Sequence, residues 1–289
     1  GAVVLACFII ILMIRAVLCK WKGRKLAAKC TLVSEQKQEY YCERLAKMIA
    51  CRTISVKDVF EPEEFYKLRS VLQELFPLVT EKAEIRYFGE DCYCYKLSGK
   101  NTERNVMLMS HHDVAAVEGG WKYPPFSGSI AEGCVWGRGT VDTKTPLFAE
   151  FSALEELLQE GWTPPCNVYL VSSHNEEIAG DGAPLALKWF EEQKISFEWI
   201  LDEGGAVIDA PMSGIKCKCA MLAVHEKGRY TVRIKAPKSA GHGSLSGQSK
   251  TPAVRMAGLI TRIEERNPFS RKLHQEVLAM FESLATYMN

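Results

Sequence analysis

Residues 106–113 read Val106-Met107-Leu108-Met109-Ser110-His111-His112-Asp113: a short apolar run that breaks off into an imidazole pair and a carboxylate. Four consecutive apolar residues closed by polar ones fit a strand buried on both faces. The same grammar recurs twice. Val168-Tyr169-Leu170-Val171 runs on to Asn175-Glu176-Glu177, and Phe197-Glu198-Trp199-Ile200-Leu201 ends at Asp202-Glu203-Gly204-Gly205. Helical spacing fills the intervals, at Leu147 to Leu158 and at Leu185 to Gln193. Strands alternating with helices make an α/β fold, a sheet with helices on both faces. Ligands of such sheets bind beyond the carboxyl ends of the strands, where these polar groups fall.

Upstream, residues 26–60 carry a helical pattern through Tyr40, Leu45, Ala46, Met48 and Ile49. Pro62 to Leu75 reads as a second amphipathic helix, with Pro62 at its first position and Pro77 just past its end. Glu84 to Leu97 alternates as a strand does. Downstream the texture changes: Tyr230 to Lys235 alternates with period two and Thr251 to Ile263 looks helical. These predict a smaller α+β domain beginning at about 220. The expected division is therefore 1–20, 21–219 and 220–289.

Ala2 to Ile14 is 13 residues without a polar side chain, interrupted at Arg15 and flanked by Lys20, Lys22, Arg24 and Lys25. A spanning helix needs roughly 20 apolar residues. Residues 1–20 are expected to be a membrane anchor, with a secretory signal or a buried helix as alternatives. The basic flank would place the main domain on the cytoplasmic side. Gly at position 1 reads as a cut in a longer chain or a processed terminus, and the apolar-periodic end at Thr286-Tyr287-Met288-Asn289 also reads as a cut.

Composition narrows the functional class. The 36 basic and 35 acidic side chains leave a net charge of +1, so no basic field marks a nucleic-acid partner. The 11 cysteines form no spaced zinc-ribbon pattern and read as mostly reduced thiols. Cys92/Cys94 and Cys217/Cys219, each on one face of a strand, read as small apolar filling.

The strand-end groups are one imidazole and six carboxylates: His111, Asp113, Asp142, Glu176, Glu177, Asp202 and Glu203. Anions so gathered raise each other's pKa and need compensating charge. Arg138 and Lys144 are too few, and one or two divalent cations would supply it. Imidazole with carboxylate suits zinc, manganese or cobalt; an all-oxygen calcium site is disfavoured by His111. Each residue alone has a blander reading. Glu176-Glu177 would be an exposed helix start, His111 a packed core histidine and His242 a loop residue. His174 reads as structural, Trp121, Pro125 and Phe126 as loop packing, and Arg138 as a salt bridge near Asp142.

S-H-H-D-V at 110–114, W-G-R-G-T-V-D-T-K at 136–144, N-E-E at 175–177, L-D-E-G-G at 201–205 and G-H-G-S at 241–244 together resemble the M20 family of metallopeptidases, over about residues 38 to 270. The L-D-E-G-G form looks most like the carboxypeptidase S branch. The resemblance implies a zinc-peptidase-like mixed sheet with a smaller α+β lid or dimerisation domain, and two zinc ions per subunit, cobalt or manganese being alternatives. It implies His111, Asp142, Glu177 and Asp202 as metal ligands, Glu203 being the alternative to Asp202. Asp113 would orient His111, Glu176 would be the general base, and His242 would hold the substrate carbonyl. Substrates would be small peptides or N-acyl amino acids, and the lid a homodimer contact. The family's last ligand, a downstream His, has no match. T-K-T-P after Asp142 departs from the usual K-G, Asn175 replaces a common Asp, and G-H-G-S-L-S lacks the usual Pro. A degenerate, non-catalytic binding or scaffold protein is the competing reading.

Overall fold

A computed structural model describes residues 2–22, 33–224, 228, 231–237, 251–267 and 272–288. The chain divides into two compact units, Cys30–Glu203 and a second made of Gly1–Lys29 with Gly204–Asn289. The division at Glu203 and Gly204 lies ahead of the small domain's expected start at 220.

The first unit is built on a five-stranded sheet in the order β1 (Glu84–Phe88), β2 (Cys92–Leu97), β6 (Cys166–Ser173), β3 (Asn101–His111), β7 (Ile200–Leu201). β1 and β2 are antiparallel, as are β2 and β6, whereas β3 runs parallel to both β6 and β7. The sheet is therefore mixed, and β3, β6 and β7 deliver their carboxyl ends to one edge. All eight residues of β6 are buried. β4 (Ser129–Ala131) and β5 (Cys134–Trp136) form a separate hairpin.

Four helices pack on one face: α2 (Glu35–Ile49), α3 (Pro62–Leu75), α4 (Pro77–Lys82) and α5 (Lys144–Gln159). α2 is capped by Ser34, whose side chain accepts from the Lys37 amide, and buries Leu45, Met48 and Ile49. α3 buries Phe65, Leu68, Leu72 and Leu75 at spacings of three and four, which is the stripe an amphipathic helix turns inward. Pro77, expected just past a helix end, also opens α4. The Glu155 carboxylate accepts from the Leu78 and Val79 amides at 3.2 and 2.9 Å and so caps that helix from across the core. α6 (Gly182–Glu192) covers the other face, setting Ala186 and Phe190 against Cys92, Cys94, Met107, Tyr169 and Val171.

In the second unit Ala2–Lys22 is one α-helix, α1. Among the described residues no helix is long and apolar enough to cross a membrane. The transmembrane helix expected within residues 1–20 falls short of that length, Arg15 interrupting the apolar run. β8 (Ala206–Asp209) and β9 (Lys218–Met221) pair antiparallel, and α7 (Pro252–Arg266) and α8 (Gln275–Ala285) follow. Residues 231–235 carry no strand among the described residues, and Tyr230 lies outside them. Cys7, Cys42, Cys51, Cys92, Cys94, Cys134, Cys166, Cys217 and Cys219 are free thiols. Cys92 and Cys94 are core filling, but Cys217 is exposed and Cys219 half-buried, with their sulfurs 4.0 Å apart.

Candidate metal centre

His111 closes β3 opposite Ser173, the last residue of β6. Successive strand residues face opposite sides, and the two histidines separate accordingly. His112 turns into the larger core, stacked on Tyr93 at 4.5 Å, with Nδ1 2.9 Å from Ser172 Oγ and Nε2 3.1 Å from Asp91 Oδ2. Asp91 is fully buried and also pairs with Arg69.

His111 is aimed the other way. Its Nδ1 lies 3.0 Å from the Asp113 carbonyl and 3.3 Å from Asp113 Oδ1. Its Nε2 meets Asp142 Oδ1 at 2.9 Å, Glu203 Oε2 at 3.1 Å and Glu176 Oε2 at 3.8 Å. Asp113 is fully buried and accepts from Ser55 Oγ at 2.7 Å and from the Glu176 and Glu177 amides at 3.1 Å each. One carboxylate thus orients the imidazole and anchors the turn that carries both glutamates. A carboxylate on a ligating histidine's far nitrogen is the usual support of a metal site. Ser55 sits on a segment joined to β3's exit by a bridge between Ile54 and Val114. No motif flags it, since its partner lies 58 residues away.

The turn itself is held by Asn175, which donates to Asp181 Oδ1 and accepts from the Gly182 amide, both at 3.1 Å. Its amide packs so closely on Gly180 that a Cβ there would collide with it. Asn can do both jobs, donor and acceptor, which the Asp it replaces cannot do when ionised. Glu177 Oε1 accepts from the Ala115 amide at 3.1 Å.

The electrostatics follow from this crowding. Burial works to lower the His111 pKa, but the carboxylates of Asp113 and Glu203 outweigh it and push it up to about 11. Burial also works against Asp113, yet His111 and Ser55 hold its carboxyl below the ordinary value. Glu203 is held low first by His111. Glu176 is raised by burial, with the Glu203 and Asp113 charges adding to the rise; Glu177 is raised by burial and by Asp142.

Neither expected base answers this charge. Lys144 is fully buried and donates to the Met48 and Cys51 carbonyls at 3.2 and 2.7 Å, and burial lowers its pKa to about 8. Arg138 donates to the Ala116 carbonyl and lies over the Trp121 ring, so the salt bridge expected near Asp142 is absent. Among the described residues, His111 is the one cationic group paired with Asp142, Glu176 or Glu203.

His111, Asp142 and Glu203 each offer a ligand atom within 4.8 Å of the others. An imidazole nitrogen with two carboxylate oxygens and no thiolate fits a zinc-class cation. Asp202, preferred over Glu203 as ligand in the sequence reading, is not in this triplet; its Oδ1 accepts from the Glu203 amide at 2.8 Å. Glu176 stands beside the triplet, and Glu177 next to Asp142's charge. His242 lies outside the described residues.

The model of peptidase family M20/M25/M40 matches residues 107–270, which span this whole constellation. The chain belongs to that family. Among M20 relatives, it is 31% identical over 244 residues to a probable carboxypeptidase S-like 2 of Dictyostelium discoideum, covering 81% of this chain and 46% of that protein. It is 30% identical over 278 residues to the N-fatty-acyl-amino acid synthase/hydrolase PM20D1 of Xenopus tropicalis, covering 92% and 53%. The chain thus spans about half the length of these curated relatives. The solved structure of the dipeptidase Dug1p from Saccharomyces cerevisiae shares its fold, with a TM-score of 0.50 at 15% identity over 86% of this chain and 56% of that one.

Proposed function

We propose that this M20 chain carries the metal-binding part of a hydrolase that cleaves an amide bond in small peptides or N-acyl amino acids. The observation that carries the reading is the convergence of His111, Asp142 and Glu203 on one point, with no lysine or arginine among the described residues paired to them. His111, Asp142 and Glu203 would hold one zinc ion, and Asp142 with Glu177 would face a second. Such ions supply Lewis acidity, which lowers the pKa of a water toward about 7 and polarises a carbonyl.

The rest is the work of this chain's own side chains. Asp113 fixes the ring of His111 through Nδ1 and leaves Nε2 to face the cluster. Glu176 is the base. Its carboxyl is beside the triplet without belonging to it, and its raised pKa brings it closer to neutrality, where a general base works best. It takes the proton from the attacking water and delivers it to the leaving amine nitrogen. His242 would hold the substrate carbonyl oxygen.

In the full-length protein, Glu176→Gln should retain bound zinc and lose hydrolysis. Turnover at the wild-type rate would remove Glu176 from the base role. Loss of zinc along with activity would make it a ligand instead.

A further inference from the structure

The C-x-C spacing occurs twice in this chain, in opposite settings. Cys92 and Cys94 lie on β2 in the core, where burial pushes both thiols up to about 12 and withholds the reactive thiolate. The other pair is at the surface. Cys217 directly precedes β9 and is exposed; Cys219 is the second residue of β9 and half-buried. The hairpin fixes the backbone of both. Cys219 sits opposite Ile208 of β8, and the Cys217 carbonyl accepts from the Ala210 amide at 3.3 Å.

The two sulfurs are 4.0 Å apart, and the Cys219 thiol also reaches the Cys217 carbonyl at 3.8 Å. A disulfide would have to close that gap to about 2.0 Å. A metal ion needs no such closure. Two thiolate bonds of about 2.3 Å span the gap as it stands and meet at an angle of about 120°, between tetrahedral and linear. Among the described residues no third histidine, cysteine or carboxylate converges with the pair. The donor set is therefore two sulfurs, which selects a soft ion content with few ligands; zinc would ask for four. Burial and then the Cys217 thiol raise the Cys219 pKa. A cation between the sulfurs answers both, because a coordinating thiol gives up its proton.

We propose that Cys217 and Cys219 form a surface chelate for a soft, thiol-seeking cation of the copper(I) class, held between the two thiolates. Binding releases the thiol protons and changes no oxidation state. The pair shares no residue with the metal centre, whose imidazole and carboxylate donors suit a harder ion. The proposal does not rest on the hydrolase reading.

The test is an anaerobic titration of the reduced, metal-free full chain with copper(I), in competition with bicinchoninate. Loaded and unloaded protein are then alkylated with iodoacetamide, and the modified cysteines are mapped by mass spectrometry. One tight equivalent is expected, protecting Cys217 and Cys219 while exposed Cys134 stays reactive. Cys217→Ser and Cys219→Ser each leave a single thiolate and should weaken binding about a hundredfold, because the second thiolate acts at an intramolecular effective concentration. Cys134→Ser should bind as wild type does. Unaltered affinity in the Cys217 and Cys219 variants, equal loss in Cys134→Ser, or copper that leaves Cys217 and Cys219 open to alkylation would overturn the proposal.

Discussion

His111 and His112 are neighbours on one strand and equally buried, yet they end in opposite electrostatic situations. His112 faces Asp91, and the chain itself balances that carboxylate with Arg69. His111 faces Asp142, Glu203 and Glu176, and the described residues offer no second cation there. A third solution lies one residue back. Ser110 donates to Glu150 at 3.0 Å, and burial, together with the Asp202 charge, pushes that carboxyl up to about 8 despite the bond. So one arginine and one proton balance two acidic regions along the end of β3, and by the proposed function a cation from outside would balance the third. The first two belong to the fold, and only the third leaves work for a ligand.

Glu176→Gln probes the open region hardest. Hydrolysis by the full-length protein should fall by several orders of magnitude, in line with loss of a general base, while zinc content holds. In the closed region Asp91→Asn should do the reverse. It strands Arg69 and His112 without their carboxylate and should cost about 3–5 kcal/mol in a urea melt, with zinc affinity unchanged. Equal loss of zinc in that variant would mean the two regions are not independent.

Glu150 tests the proton solution through pH. Its pKa in the fold lies above that of the unfolded chain, so the folded state binds more protons between about pH 4.5 and 8. Stability should therefore fall as pH rises through that window and level off above it. Glu150→Gln should flatten the slope, leaving the variant more stable than wild type at pH 8 by on the order of a few kcal/mol. An unaltered slope would place the titration elsewhere. The smallest effect belongs to Ser55→Ala. It removes one bond from buried Asp113, and should cost about 1–3 kcal/mol of stability and about tenfold in zinc affinity.

The parts legible from sequence are those with a local signature. Pro62–Leu75 is one, because a proline start and a three-four apolar stripe specify a helix by themselves. The strand ends carrying His111 and Glu176 are others, since a buried apolar run that stops at polar residues marks its own edge. α4 was not legible beyond its proline, because its cap is Glu155, 76 residues from Val79. The choice between Asp202 and Glu203 was open for a similar reason. β7 is only two residues long and ends before them, so no strand alternation assigns either a face. The expected Arg138 bridge failed because charge proximity in sequence says nothing about where a guanidinium packs, here over Trp121. Arg69, Asp91 and His112 share no motif, and only the folded sheet brings them together.

Thermal unfolding of the full chain with and without zinc, in wild type and in His111→Ala, bears most directly on the claim that the cluster is balanced by a cation from outside. Wild type should gain about 2.7 kcal/mol at a free zinc concentration one hundred times the Kd, and His111→Ala should gain almost none. No zinc-dependent stabilisation of the wild type, or the same stabilisation in both proteins, would contradict it.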